Sequence, residues 1–157
     1  MSSLYLETSV LSYLAALPSR DVVTAARQQV ARDWWATRRA GFDLYISQAV
    51  LGEAGAGDPA EAAKRLALVA GLPLLDVTAE AAALAQRLQA LAAFPARAAA
   101  DALHVAPAAV HGVDYLLTGN LRHIANAERR PRIERACRAA GYRPPVICTP
   151  DELMGDS

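Results

Sequence analysis

Five short apolar runs, each preceded by a glycine or by the chain's start, constrain the fold more than any other feature. They are SLYLE (residues 3–7), DLYIS (43–47) after Gly41, LPLLDV (72–77) after Gly71, DYLLTG (114–119) after Gly112 and PPVICT (144–149) after Gly141. Runs of this length read as strands. Helical patterns fill the gaps. Residues 21–39 carry Val22, Ala26, Val30 and Trp34 at a spacing of four, with arginines elsewhere. Asp58 is a fitting N-cap for residues 59–70, with Pro59 at the first helical position. Thr78 caps the next pattern, which continues through Ala81, Leu84, Arg87 and Leu88. Residues 97–111 and 128–140 complete the set. Strands alternating with helices are βαβ units. They predict an α/β fold: a three-layer α/β/α sandwich around a parallel sheet of about five strands. There is no internal repeat or linker, so residues 1–157 read as one domain.

Composition narrows the function. Apolar residues make up 54% of the chain, enough for a sizeable core. No apolar run reaches the roughly 18–20 residues of a membrane span. The start, MSSLYLETSV, lacks a basic segment followed by an apolar one, so no secretory signal is expected. Cys137 and Cys148 have no CxxC spacing and read as reduced thiols of a cytoplasmic protein. The charges balance, 16 basic against 16 acidic, so no net positive charge announces a nucleic-acid binder.

The acids stand out by position. Asp101 is the only acid between Glu80 and Asp114, in an alanine-rich stretch where aspartate is a poor helix-interior residue. Glu7 closes the first strand, Glu53 lies on the segment after the second, and Asn120 follows the fourth. In an open parallel sheet, ligands bind beyond the carboxyl ends of the strands, where these residues can gather. Clustered carboxylates raise one another's pKa, and a divalent cation removes that cost. Hard oxygen donors suit Mg²⁺ or Mn²⁺, which polarise a phosphodiester and acidify a bound water. The bland reading stays open: an acid at a strand end is often only an N-cap.

At this point the motifs match a known pattern. LYLETSVLSYL, SQAVLGEAGAGDP, ADALHVA, DYLLTGNLRHIAN and PPVICTPDEL, in this order, resemble the PIN-domain family, and within it the VapC-type toxins of bacterial toxin–antitoxin pairs. The resemblance implies a Mg²⁺- or Mn²⁺-dependent endoribonuclease with RNA as substrate, a homodimer, and a separate antitoxin as protein partner. It assigns Glu7, Glu53 and Asp101 as catalytic metal ligands. Thr8 and Ser9 match hydroxyl positions beside the first acid. Glutamate replaces the usual aspartate at that acid. Asn120 falls where many members carry a fourth acid, in a T-x-D pattern with Thr118, and would assist through its side-chain carbonyl.

Other neighbours carry two readings each. His104, three residues after Asp101, could orient that acid, touch a phosphate, or simply pack. Arg122 and His123 are substrate-contact candidates or surface decoration. Pro107 predicts a kink one turn past His104. Arg129, Arg132, Arg135 and Arg138 form either an RNA-facing stripe or a solvated face. Tyr13, Trp34 and Trp35 read as core or partner surface, and Leu11, Tyr13 and Leu14 lie on the first helix, which the resemblance gives to antitoxin or dimer contacts. Two rival functions remain. One is a degenerate PIN module that binds RNA or protein without cutting. The other is a phosphoryl-transfer α/β domain, which needs an aspartate where this chain has Glu7; its sole lysine, Lys64, lies far along the chain.

Overall fold

β1 (Ser2–Leu6) is the middle strand of a five-stranded, all-parallel sheet in the computed structural model, which describes residues 1–91 and 94–155. β2 (Phe42–Ser47) and the two-residue β3 (Leu74–Leu75) extend the sheet on one side, and β4 (Tyr115–Leu117) and β5 (Val146–Cys148) on the other, in the order β3-β2-β1-β4-β5. Leu4, Tyr5 and Leu6 are all fully buried, as a central strand covered on both faces requires.

Helices α1 (Thr8–Ala15), α2 (Val22–Thr37), α3 (Gln48–Ala54) and α4 (Pro59–Val69) pack around one another. So do α5 (Ala79–Ala90), α6 (Ala99–Val110) and α7 (Arg129–Ala139). The result is the expected α/β/α sandwich. Ala81, Ala85, Ala98, Ala102, Ala106 and Ala109 are buried, and side chains this small let α5 and α6 approach closely.

Several expectations need correction at the residue level. Residues 48–54 form α3, which puts Glu53 on a helix rather than on an unassigned segment. No side-chain cap marks its start, since Ser47 makes no capping bond. The run 72–77 shrinks to a two-residue strand in which Leu74 is exposed, as an edge position allows. α6 runs through the buried Pro107 to Val110. Asp21, Asp58 and Thr78 cap their helices by accepting from Thr24, Glu61 and Ala81 backbone N–H groups. Trp34 is fully buried core and Trp35 packs partly buried against it. Both cysteines are buried free thiols.

The strand order decides where a site can form. From β1 the chain builds outward to β2 on one side, and later to β4 on the other. Crossovers then diverge at the carboxyl ends of β1 and β4, leaving a crevice there. Glu7 follows β1 directly and Thr118 follows β4 directly.

Candidate functional site

Glu7 is both the N-cap of α1 and the floor of this crevice. Its backbone is extended (φ −83°, ψ 150°), and its side chain accepts from Ser9 N–H at 3.2 Å. Two hydroxyls also donate to Oε1: Ser9 Oγ, in a very short bond, and Thr118 Oγ1 at 2.6 Å. Each hydroxyl in turn accepts from the chain beyond β4, Ser9 from Gly119 N–H at 2.7 Å and Thr118 from Asn120 N–H at 2.9 Å. The hydroxyls thus transmit the position of the β4 loop to a buried carboxylate. The capping and site readings of Glu7 are therefore not exclusive.

Glu53 comes to the same place from the last turn of α3. Its Oε1 accepts from Thr8 Oγ1 at 2.7 Å and is bonded to His104 Nε2 at 2.5 Å. Burial acts to raise its pKa, but the bonds and charge of His104, with Thr8, outweigh it and hold the carboxyl below its ordinary value. His104 is fully buried, and its other nitrogen, Nδ1, lies 2.7 Å from Tyr5 Oη, which lies 2.7 Å from Ser47 Oγ. Burial opposes the imidazole's charge. The Glu53 bond and the charges of Glu7, Glu53 and Asp101 prevail, so His104 holds its proton above the usual pH. Burial pushes the Tyr5 phenol up, against the Ser47 hydrogen bond and with the charges of Glu7 and Glu53, so it remains a neutral hydroxyl.

Asp101 sits in the first turn of α6, half-buried. Burial first, then the charge of Glu7, raises its pKa; His104 and His123 act the other way. The three acids therefore share one electrostatic site. Among the described residues no arginine or lysine pairs with any of them.

Of the readings open for His104, the packed and satisfied histidine is the one observed: it is fully buried and bonded to Glu53 and Tyr5. One expectation fails here. Asn120 does not present its carbonyl to the acids. Oδ1 accepts from the backbone N–H groups of Arg122 (3.3 Å) and His123 (3.0 Å), while Nδ2 donates to Asp101 Oδ1 at 3.3 Å. Backbone N–H groups only donate, so the amide orientation is fixed by the network. Arg122 is exposed. His123 is half-buried, and its Nδ1 is buried without a hydrogen-bond partner among the described residues.

The donor set fits a divalent ion. Glu7, Glu53 and His104 each offer one ligand atom, all within 4.8 Å of one another. Two carboxylate oxygens from this group, with Asp101 adjacent, make an oxygen-rich, negatively charged cradle. His104 Nε2 can serve Glu53 or an ion, not both at once.

Tyr5 and Ser47 were invisible as site residues in the sequence. Tyr5 sits in an apolar strand and reads as core. The available signal was chemical: a buried tyrosine hydroxyl seeks a partner, and β1 ends at an acid.

A model of the PIN domain family matches residues 4–129. No curated protein matched the chain.

Proposed function

Because the chain belongs to the PIN domain family, whose members are generally metal-dependent nucleases, we propose that it is an endoribonuclease using Mg²⁺ or Mn²⁺. The observation that carries this reading is the acid cluster at the sheet's switch point, which no arginine or lysine pairs with among the described residues. Glu7 and Glu53 gather there with His104, close enough to Asp101 for both acids to act on its charge, and no basic side chain but His104 is bonded to them among the described residues. Such a cluster is costly unless a cation completes it.

Glu7 and Glu53, with Asp101, would hold the ion, which when bound supplies Lewis-acid polarisation of the phosphodiester and an acidified water. The chain's own residues set the stage for this. Ser9 and Thr118 hold the Glu7 carboxylate, and Thr8 and His104 hold one Glu53 oxygen and leave the other without a hydrogen bond among the described residues. Tyr5 fixes the imidazole from behind. Asn120 steadies Asp101 through its amide.

The order of motifs extends the proposal to a VapC-type toxin: a cytoplasmic homodimer whose antitoxin covers the acidic pocket. Among the described residues no helix is long and apolar enough to cross a membrane. A second reading, a PIN module that binds without cutting, is favoured by Asn120, whose carbonyl is spent on its own turn.

The test is cleavage of single-stranded RNA by purified protein. Activity should require Mg²⁺ or Mn²⁺ and stop on chelation. Cleavage by Asp101→Asn at the wild-type rate would refute the assignment; no calorimetric affinity for Mn²⁺ at all would select the second reading.

A further inference from the structure

Two arginines line a groove that reaches the acid cluster through Asn120. Arg27 on α2 and Arg122 in the turn after β4 are exposed, and among the described residues neither guanidinium makes a hydrogen bond or ion pair. Arg27 touches its surroundings electrostatically only by favouring the ionised form of Asp21. Together they line an open groove of about 560 Å³ whose floor includes Gly119 and Asn120. The groove meets the acid cluster at Asn120, which donates to Asp101.

Towards α1 the groove continues into a more enclosed hollow of about 170 Å³, sharing Arg27, Gly119 and Leu121 with it. Tyr13 and Val30 wall this hollow, and Asp151 stands at its edge. Gly119 makes room for the aromatic ring: a Cβ there would collide with Tyr13 Cε2 and lie 3.0 Å from Cδ2. The Tyr13 hydroxyl has no hydrogen bond among the described residues. The hollow is therefore an aromatic and aliphatic slot, with Arg27 in the lining it shares with the groove and Asp151 also in its lining. Arg27 can take phosphate in the lining the hollow shares with the groove, while the Tyr13 and Val30 walls suit a base.

The chemistry divides along the path. Unpaired guanidinium forks match phosphate oxygens. An aromatic ring beside aliphatic walls matches the face of an unstacked base, the usual way single-stranded RNA is read. A nucleic-acid strand alternates phosphate and base along one path, which matches two free guanidinium groups followed by an apolar slot.

We propose that this groove is the path of the substrate strand. Arg27 and Arg122 hold a phosphate flanking the scissile one, and the Tyr13 hollow receives one nucleobase, which makes it a subsite for base preference. The inference rests on the ribonuclease reading for its choice of ligand.

The experiment measures fluorescence anisotropy of a labelled single-stranded oligoribonucleotide, in chelator so that the strand stays intact, alongside cleavage by the wild type with Mn²⁺. Arg27→Ala and Arg122→Ala should each weaken binding about tenfold, as loss of a charged hydrogen bond does. Each should also reduce the slope of log affinity against log salt by about 0.7, and Arg27→Lys should keep that slope. Tyr13→Leu should weaken binding about tenfold and flatten differences between homopolymers. Unchanged melting temperatures of the exposed arginine variants exclude misfolding. If the wild type cleaves RNA while both alanine variants keep wild-type affinity and slope, the groove assignment is wrong and the nuclease reading stands. If binding depends on the arginines but nothing is cleaved, the groove stands and the nuclease reading falls. A wild type that neither binds nor cleaves RNA overturns both.

Discussion

The β1–β4 pair carries a carboxylate at each end, and the two are treated oppositely. At the amino end, Asp114 accepts from Ser3 N–H at 2.9 Å, Ser3 Oγ at 3.1 Å and Arg143 Nη2 at 3.1 Å. The Ser3 bonds and then Arg143 hold its pKa low. At the carboxyl end, Glu7 is held by the Ser9 N–H and two hydroxyls, with no arginine or lysine bonded to it among the described residues, and its neighbours Glu53 and Asp101 are also acids. The chain thus supplies its own cation at one end and none but a buried histidine at the other. A hydrogen-bonded acid with an arginine is a clasp between strands. Acids gathered without one form a site that asks for an external cation.

The strongest way to break this contrast is to remove the charge. Glu53→Gln or Asp101→Asn should cut RNA cleavage by at least about 100-fold, more than the roughly 10–100-fold typical of an outer-shell partner. Asp114→Asn should leave the rate per folded molecule near wild type. Steady-state kinetics with Mn²⁺ decides it.

Metal binding should appear next as stability. Mn²⁺ at 100 times its Kd should add about 2.7 kcal/mol, a rise in melting temperature of roughly 5–11 °C for a chain of this size. Calorimetry should show that gain in Asp114→Asn and not in Glu7→Gln. A full gain in Glu7→Gln would remove the distinction between the two ends.

Tyr5→Phe sharpens the comparison from behind the site. It deletes the hydroxyl between Ser47 and His104 and leaves both buried groups short of a partner. The expected cost is about 1–3 kcal/mol in urea unfolding. Gly119→Ala should cost a similar or smaller amount, about 1–3 kcal/mol by overpacking against Tyr13.

The smallest effects are pH slopes of opposite sign. Asp114 has a lowered folded pKa, so its stabilisation is present above the unfolded value, about 3.9, and is lost as pH falls through the lower folded one. Asp101 has a raised folded pKa, so without metal its contribution is greatest at low pH and is lost as pH rises from about 3.9 to the folded value. In chelator, Asp114→Asn should flatten the acid limb of the stability profile. Asp101→Asn should raise stability at neutral pH relative to acid. The same sign in both variants would show that the two carboxylates are not differently compensated.

Elements with local marks were legible beforehand. Asp21, Asp58 and Thr78 announce their helices because a cap acts within four residues. α3 carries no such mark. It begins directly from β2 with no side-chain cap, so residues 48–54 are helical by packing rather than by signal. Glu7 and Asp101 stood out for a similar reason, one at a strand end and one interrupting an alanine run, whereas Glu53, inside the unmarked α3, was singled out through the order of motifs. Their partners were not. His104 is three residues from Asp101 in sequence but bonds Glu53, 51 positions away. Asn120 was expected to turn its carbonyl to the acids, yet the turn that follows claims that oxygen.

By itself the sequence determined the parallel sandwich and marked Asp101 as out of place, because strand length, caps and the cost of a carboxylate among alanines are properties of short segments. Only the tertiary structure decided what each acid touches: the Ser47–Tyr5–His104–Glu53 chain, the hydroxyl bridges to Glu7, and the groove between α2 and the turn after β4. Hydrogen bonds reach only about 3 Å, so partners remote in sequence are settled by packing and by nothing written beside them in the chain.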